Sequence, residues 1–275
     1  MNRELRRTMC PAILLVLMVL CLVGNSQAVP IQTFTTDPGW TTTASAGQNG
    51  NSYGYSLTNF ATGAANEAGG TFSRSQADGY YADINLTQSF TLNDTFSASG
   101  TLHTRNVTAG YISSGASQMF IGHLSSSTSA TSREFIGISF EENSGPSLRW
   151  QARFQMPGGG GGESANIGLT PGTSYAFSYT YDPTLGSFGR ITVTIGSNTQ
   201  FVDLSMTERN SGAVFNAFGI GIALNLNSQT DAAKTTEVYM DNVSYSGLIP
   251  EPTSLILFSV GAGMMLVQRR RRLAF

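Results

Sequence analysis

A chain of 275 residues has room for one large β-rich domain or two small ones. Only 12% of it is charged, while Gly, Ser, Thr and Asn are abundant, which fits an exported all-β protein better than a cytosolic enzyme or a helical bundle. Between residues 29 and 249 eight Lys/Arg face fifteen Asp/Glu, a formal −7 with Lys234 the sole lysine, and such a surface does not track phosphates, so nucleic acid is excluded as a partner.

The first element is an export signal, residues 1–28. Arg3, Arg6 and Arg7 make its basic start and residues 13–23 its apolar stretch. Ser26-Gln27-Ala28 then puts small residues where signal peptidase cuts, after Ala28. Cys21 follows Leu20, where a lipidation site needs a small residue, so a lipid anchor is not expected. Both cysteines, Cys10 and Cys21, fall inside the signal. The mature chain is therefore cysteine-free and must be held by its core rather than by disulfides.

Past Ala28 no long segment repeats with a helical period. Trp40, Tyr53, Tyr55, Tyr80 and Tyr81 come first, in Gly/Asn/Ser-rich stretches, and are candidates to present ring faces to a sugar. Strand patterns follow at 87–92, 97–102, 119–124 and 135–141. The clearest is 148–156, where Leu148, Trp150, Ala152, Phe154 and Met156 share one parity and Arg149, Gln151, Arg153 and Gln155 the other, one dry face and one wet. The glycines at 158–162 read as a loop tip. Residues 174–181 alternate in the same way, and 190–195 and 200–204 flank Gly196-Ser197-Asn198-Thr199 as a hairpin. Strands at 218–224 and 238–245 close the series. About ten to fourteen strands, each with one apolar face, predict two packed antiparallel sheets. With no repeat period and no linker, residues 29–247 read as one β-sandwich domain.

Chemistry is sparsely written. His103 and His123 have no metal-ligand spacing around them, and no G-x-S-x-G elbow or P-loop occurs. Glu141 and Glu142 are adjacent, so a regular strand sends them to opposite faces, unlike the converging pair a glycoside hydrolase needs. The chain is expected not to be an enzyme, with glycoside hydrolysis the minor alternative. In 237–245 the carboxylate of Asp241 shares parity with Tyr239, Val243 and Tyr245, a costly place unless hydrogen-bonded or metal-bound. This closing strand, with 175–195 and 67–75, resembles jelly-roll and concanavalin/laminin-G-like sandwiches. The resemblance implies that Asp241 hydrogen-bonds a neighbouring loop or holds a structural calcium; no other cofactor is expected.

The last segment, 248–275, is the most informative. Residues 254–267 would make a helix of about 21 Å, short for a hydrocarbon core of about 30 Å. Arg269, Arg270, Arg271 and Arg272 follow and would stay cytoplasmic. Pro250 and Pro252 hold Glu251 extended just outside the membrane, in a form a protease cleft binds. Pro-Glu-Pro, an apolar run and an arginine cluster in this order resemble the tail of PEP-CTERM proteins, substrates of the membrane enzyme exosortase in bacteria that make exopolysaccharide. The resemblance implies a precursor tethered transiently in the inner membrane, processed at Pro250–Pro252 and delivered to the cell envelope or extracellular matrix. The sandwich is then expected to be a non-catalytic module contacting extracellular polysaccharide, or a purely structural matrix component.

Overall fold

The computed structural model describes residues 30–47, 50–74, 79–107, 118–127, 133–142, 148–223 and 231–248. Among them seventeen strands occur in chain order: β1 (Thr41–Thr42), β2 (Ser52–Ser56), β3 (Glu67–Arg74), β4 (Gly79–Asp83), β5 (Phe90–Thr91), β6 (Phe96–Arg105), β7 (Gln118–Leu124), β8 (Phe135–Glu142), β9 (Leu148–Gln155), β10 (Gly161–Glu163), β11 (Ile167–Leu169), β12 (Thr173–Asp182), β13 (Arg190–Ile195), β14 (Asn198–Asp203), β15 (Val214–Phe215), β16 (Ala217–Ala223) and β17 (Asp231–Tyr245). One sheet runs β1-β4-β16-β7-β8-β9-β10, with β11 also on β9, and the other β14-β13-β12-β6-β17-β3-β2. A small third pairs β15 with β5. Neighbours are antiparallel, as hairpin-rich chains favour. The expected all-β antiparallel sandwich is what the chain forms.

The inner faces follow the alternation. Leu148, Trp150, Ala152 and Phe154 of β9 and Phe177, Tyr179 and Tyr181 of β12 are buried in one core shared by the two sheets. One polar tip in that core is paired across it: Tyr245 on β17 donates to Asp83 Oδ2 on β4 at 2.8 Å. Part of the eight-stranded sheet is apolar on both faces. Tyr80, Ala82, Phe120, Leu124, Phe135 and Ala217 form a second buried cluster on its outer side, where Phe120 and Phe135 stack at 4.7 Å.

A one-turn helix, α1 (Met206–Arg209), carries a full capping box: Ser205 N donates to Glu208 Oε2 at 2.7 Å and Glu208 N to Ser205 Oγ at 3.3 Å. From it Arg209 reaches Tyr181 Oη at 2.6 Å, the Leu92 carbonyl and Asn93.

The structure departs from the sequence expectations at particular places. Of 87–92 only Phe90 and Thr91 are strand, because Asp94 Oδ2 accepts from both Thr91 N and Thr91 Oγ1 at 2.8 Å and turns the chain. The expected loop tip at 158–162 instead enters β10, which pairs with β9. At Asn242, φ is 51° and the register of β17 against β6 shifts between Asp241 and Ser244. This bulge breaks the parity on which Asp241 was grouped with Val243 and Tyr245. Those two point into the core, whereas Tyr239 and Asp241 lie opposite His103 and Thr101 on the outer face.

Candidate functional site

Polar residues gather on the outer face of the eight-stranded sheet, beside the apolar cluster. Alternation along β9 places Arg149, Gln151 and Arg153 there, and register sets Gln151 opposite Ser139 and Arg149 opposite Glu141 of β8. On the other side of β9, Glu163 of β10 stands opposite Arg153. Gln151 Nε2 donates to Glu141 Oε1 at 3.3 Å and to Glu163 Oε2 at 3.1 Å. Arg153 pairs with Glu163, and its Nη1 lies 3.9 Å from Glu141 Oε1. Asn166 Nδ2 approaches Glu141 Oε2 at 3.5 Å.

The burial of this group is unusual for so polar a set. Ser139 and Gln151 are 0% exposed. The side chains of Arg153 and Glu141 keep 18% and 20% of their surface, while Glu163 keeps 52% and forms the open rim. Burial pulls the Arg153 guanidinium below its ordinary pKa, opposed by Glu163 and then Glu141. Among the described residues three polar atoms on this face, Ser139 Oγ, Gln151 Oε1 and Arg153 Nε, are buried with no hydrogen-bond partner. Each such atom costs about 1–3 kcal/mol, so three on one face mark a place built for something besides stability. A hydroxyl and a guanidinium with spare donors suit an anion, and the planar fork of arginine suits a carboxylate.

The aromatic candidates are elsewhere. Trp40, Tyr53, Tyr80 and Tyr81 are 9%, 6%, 7% and 2% exposed, so four of the five candidates do not present a ring face to solvent. Trp40 packs against Phe34 at 5.0 Å and Tyr81 at 5.3 Å, Tyr53 stacks on Phe72 at 4.3 Å, and Tyr80 lies 4.7 Å under the Arg133 guanidinium. Gly/Ser/Asn flanks suggested loops, but these residues sit on or beside strands whose rings close the space between and over the sheets. Tyr55 alone is half-buried. With Tyr53, Ser52 and Tyr239 it lines a hollow of about 420 Å³ at the β2 edge, on the sheet opposite the arginine cluster.

Asp241 ties down a loop, residues 57–66, that crosses the outer face of the seven-stranded sheet. Thr62 Oγ1 donates to its Oδ2 and Asn242 N to its Oδ1 at 2.7 Å. Beside it Glu67, 0% exposed, accepts from Thr58 Oγ1, Phe60 N and Ala61 N. Burial raises the Asp241 pKa, with the Thr62 hydroxyl opposing. Both oxygens of Asp241 accept from N–H or O–H donors, which offsets the cost of burying the carboxylate. Among the described residues no three His, Cys, Asp or Glu converge on a metal position.

Ala28, Pro250, Glu251, Pro252 and Arg269 to Arg272 lie outside the described residues. Among the described residues no helix is long and apolar enough to cross a membrane.

No protein-family model and no curated protein matches the chain. Among solved structures it is similar to a mutant of the alginate lyase Aly36B in complex with alginate trisaccharide (13% identity, TM-score 0.43, covering 81% of this chain and all of that one). An endo-β-1,4-glucuronan lyase from the fungus Trichoderma reesei gives 11% identity and a TM-score of 0.44 over 80% of this chain and 94% of that one. An alginate lyase from Aplysia kurodai gives 10% and 0.45 over 72% and 87%. Likeness at this level concerns the arrangement of strands and nothing finer. The sandwich was expected to be non-catalytic for want of converging carboxylates and catalytic motifs; sandwiches of similar strand arrangement include polysaccharide lyases, and that expectation is not kept. Neither the sugar-contacting module, the matrix scaffold nor the hydrolase alternative is carried further.

Proposed function

We propose that the sandwich processes an acidic polysaccharide, holding a uronate carboxylate against Arg149, Gln151 and Arg153. The supporting observation is the pair of buried, unpartnered donors Ser139 Oγ and Arg153 Nε, with the Arg149 guanidinium and the Gln151 amide on the same sheet face. A carboxylate paired with a guanidinium and neutral donors loses much of its negative field, and the hydrogen on its α-carbon becomes acidic. The contact that binds a uronate thus favours elimination: a base takes H5, the C4–O4 bond breaks, C4=C5 forms and O4 departs with a proton. Water is not consumed. The domain's formal −7 repels a polyanion at long range, so the guanidiniums act at contact distance and binding strengthens as salt shortens the Debye length to about 10 Å or less.

The test is ultraviolet absorbance of the conjugated unsaturated uronate on incubation with polyuronates such as alginate. Arg153→Ala is expected to lower the rate by about a hundredfold, and Arg153→Lys, which keeps charge without the fork, by about tenfold. Melting curves confirm that both variants are folded. If no polyuronate yields an unsaturated product with folded wild-type protein, this reading is wrong.

The same protein is proposed to be exported and sorted by its tail, with signal peptidase cutting after Ala28 and an exosortase-type enzyme acting at Pro250–Pro252. Support comes from the order of motifs: two prolines lacking N–H groups around Glu251, then an apolar run, then four arginines. Glu251→Ala is expected to leave a precursor in the inner membrane that still carries Arg269 to Arg272. Mass spectrometry of wild-type surface material ending at Phe275 would contradict it.

A further inference from the structure

We infer that Glu163 is a built-in carboxylate mimic that occupies the arginine cluster until an acidic ligand displaces it, a regulation that rests on the proposed carboxylate site. Two carboxylates share the donors of Arg153 and Gln151, and they are held differently. Glu141 sits in the interior strand β8, is four-fifths buried, and is also approached by Asn166 at 3.5 Å. Glu163 ends a three-residue strand at the sheet edge and is half-exposed, yet its Oε2 takes both Arg153 Nη1 and Gln151 Nε2, the latter at 3.1 Å. It therefore fills, from the solvent side, the position where a ligand carboxylate would meet the guanidinium fork.

The backbone there is fixed, so only the side chain needs to move. Ser164 N donates to the Ala152 carbonyl at 2.9 Å and Ala152 N to Ser164 Oγ at 3.0 Å, which pins the chain immediately after Glu163. A rotation of Glu163 into solvent frees one face of Arg153 while Glu141 keeps the guanidinium in place. Exchange of one carboxylate for another leaves the local charge unchanged, so a uronate displaces Glu163 and a neutral sugar does not. Glu163 thus discriminates ligands by charge as well as holding the empty site shut.

The experiment is calorimetric titration of the full chain in detergent with an alginate trisaccharide and with a neutral glucan trisaccharide. Glu163→Gln and Glu163→Ala are expected to tighten alginate binding by about five- to tenfold, as removal of an occluded state does. Asp182→Asn, the same charge change on the exposed far side of the other sheet, is expected to leave it within about twofold. Weaker binding in Glu163→Ala would mean that Glu163 merely props Arg153, and an equal gain in Asp182→Asn would mean simple charge repulsion. Either result overturns the mimic while leaving the carboxylate site standing. Absence of alginate binding in all variants, with unchanged melting, removes the site itself and the mimic with it.

Discussion

Replacing Gly69 or Gly70 by alanine is expected to cost about 4 kcal/mol and to lower the melting temperature by about 10 °C. Both glycines lie in β3 with φ near 140°, a region that residues with a Cβ avoid. A Cβ on Gly69 would stand 2.1 Å from the Val238 carbonyl oxygen and 2.7 Å from Tyr239 Cα; one on Gly70 would stand 2.2 Å from that of Ser52 and 2.9 Å from Tyr53 Cα. The first clash is with β17 and the second with β2, the two strands that β3 joins. These obstacles are backbone, so no side chain can swing away, and one edge of the seven-stranded sheet has to part. Strain and overpacking each contribute about 1–3 kcal/mol, a large share of the roughly 5–15 kcal/mol that holds a domain together. Gly54→Ala is the control: it lies in β2, beside the same pairing, with open space where its Cβ would be. Urea midpoints for Gly69→Ala and Gly70→Ala equal to that of Gly54→Ala would mean that β3 is not clamped between β2 and β17.

The same glycines explain which parts of the fold were legible. In β9, β12 and β13 every second residue is large and apolar, and the 2.0 period shows through. In β2 and β3 the stretches Ser52–Ser56 and Glu67–Arg74 are half Gly and Ser, so no apolar face announces a strand. Their pairing comes from the partners β17 and β2, which a local pattern does not contain. Asn242 shows the opposite failure. The pattern through 237–245 is clear, but one left-handed residue inverts it midway, and the aspartate assigned to the core side faces a loop.

The site was half legible for a similar reason. Alternation correctly put Arg149, Gln151 and Arg153 on the face away from the core, and that face was taken as wet. Their burial arises because β9 is not an edge: β10 and β11 both pair along its far side, and the chain between them ties to Ala152 through Ser164 and to Glu141 through Asn166. The pairing of Glu163 with Arg153 joins strands separated by a glycine-rich run that carries no register signal of its own. The aromatic candidates failed for want of the reverse information, since two sheets close over Trp40 and Tyr81 wherever their neighbours in sequence are small.

Acidification from pH 7 to pH 4 is expected to remove about 3 kcal/mol of stability through His123 alone. This residue is 0% exposed, on the inner face of β7 among Phe96, Phe218 and Phe90 at 4.9, 5.4 and 5.5 Å. Its Nε2 lies 3.1 Å from the Ser246 carbonyl and therefore carries the proton, so Nδ1 accepts from the Tyr179 hydroxyl at 2.5 Å. Tyr179, on β12, also accepts from His123 N at 2.9 Å, and burial raises its pKa well above the usual phenol value, so it remains a neutral donor. Burial pushes the His123 pKa down to about 4, only partly offset by the Ser246 carbonyl. In the unfolded chain the group titrates near pH 6.5, so between about 6.5 and 4 the unfolded state takes up a proton that the folded state refuses. The stabilisation is complete above 6.5 and is lost as pH falls toward 4. Asp241, whose pKa is raised, works in the opposite sense, so the wild-type curve alone does not isolate the histidine. His123→Gln does. It is expected to be less stable at pH 7, where the bridge between β7 and β12 is disturbed, and to converge on the wild type as pH approaches 4. Urea midpoints of the two proteins measured at half-unit steps would show this convergence; parallel curves would mean that the imidazole reaches solvent and that the sheets do not close over it.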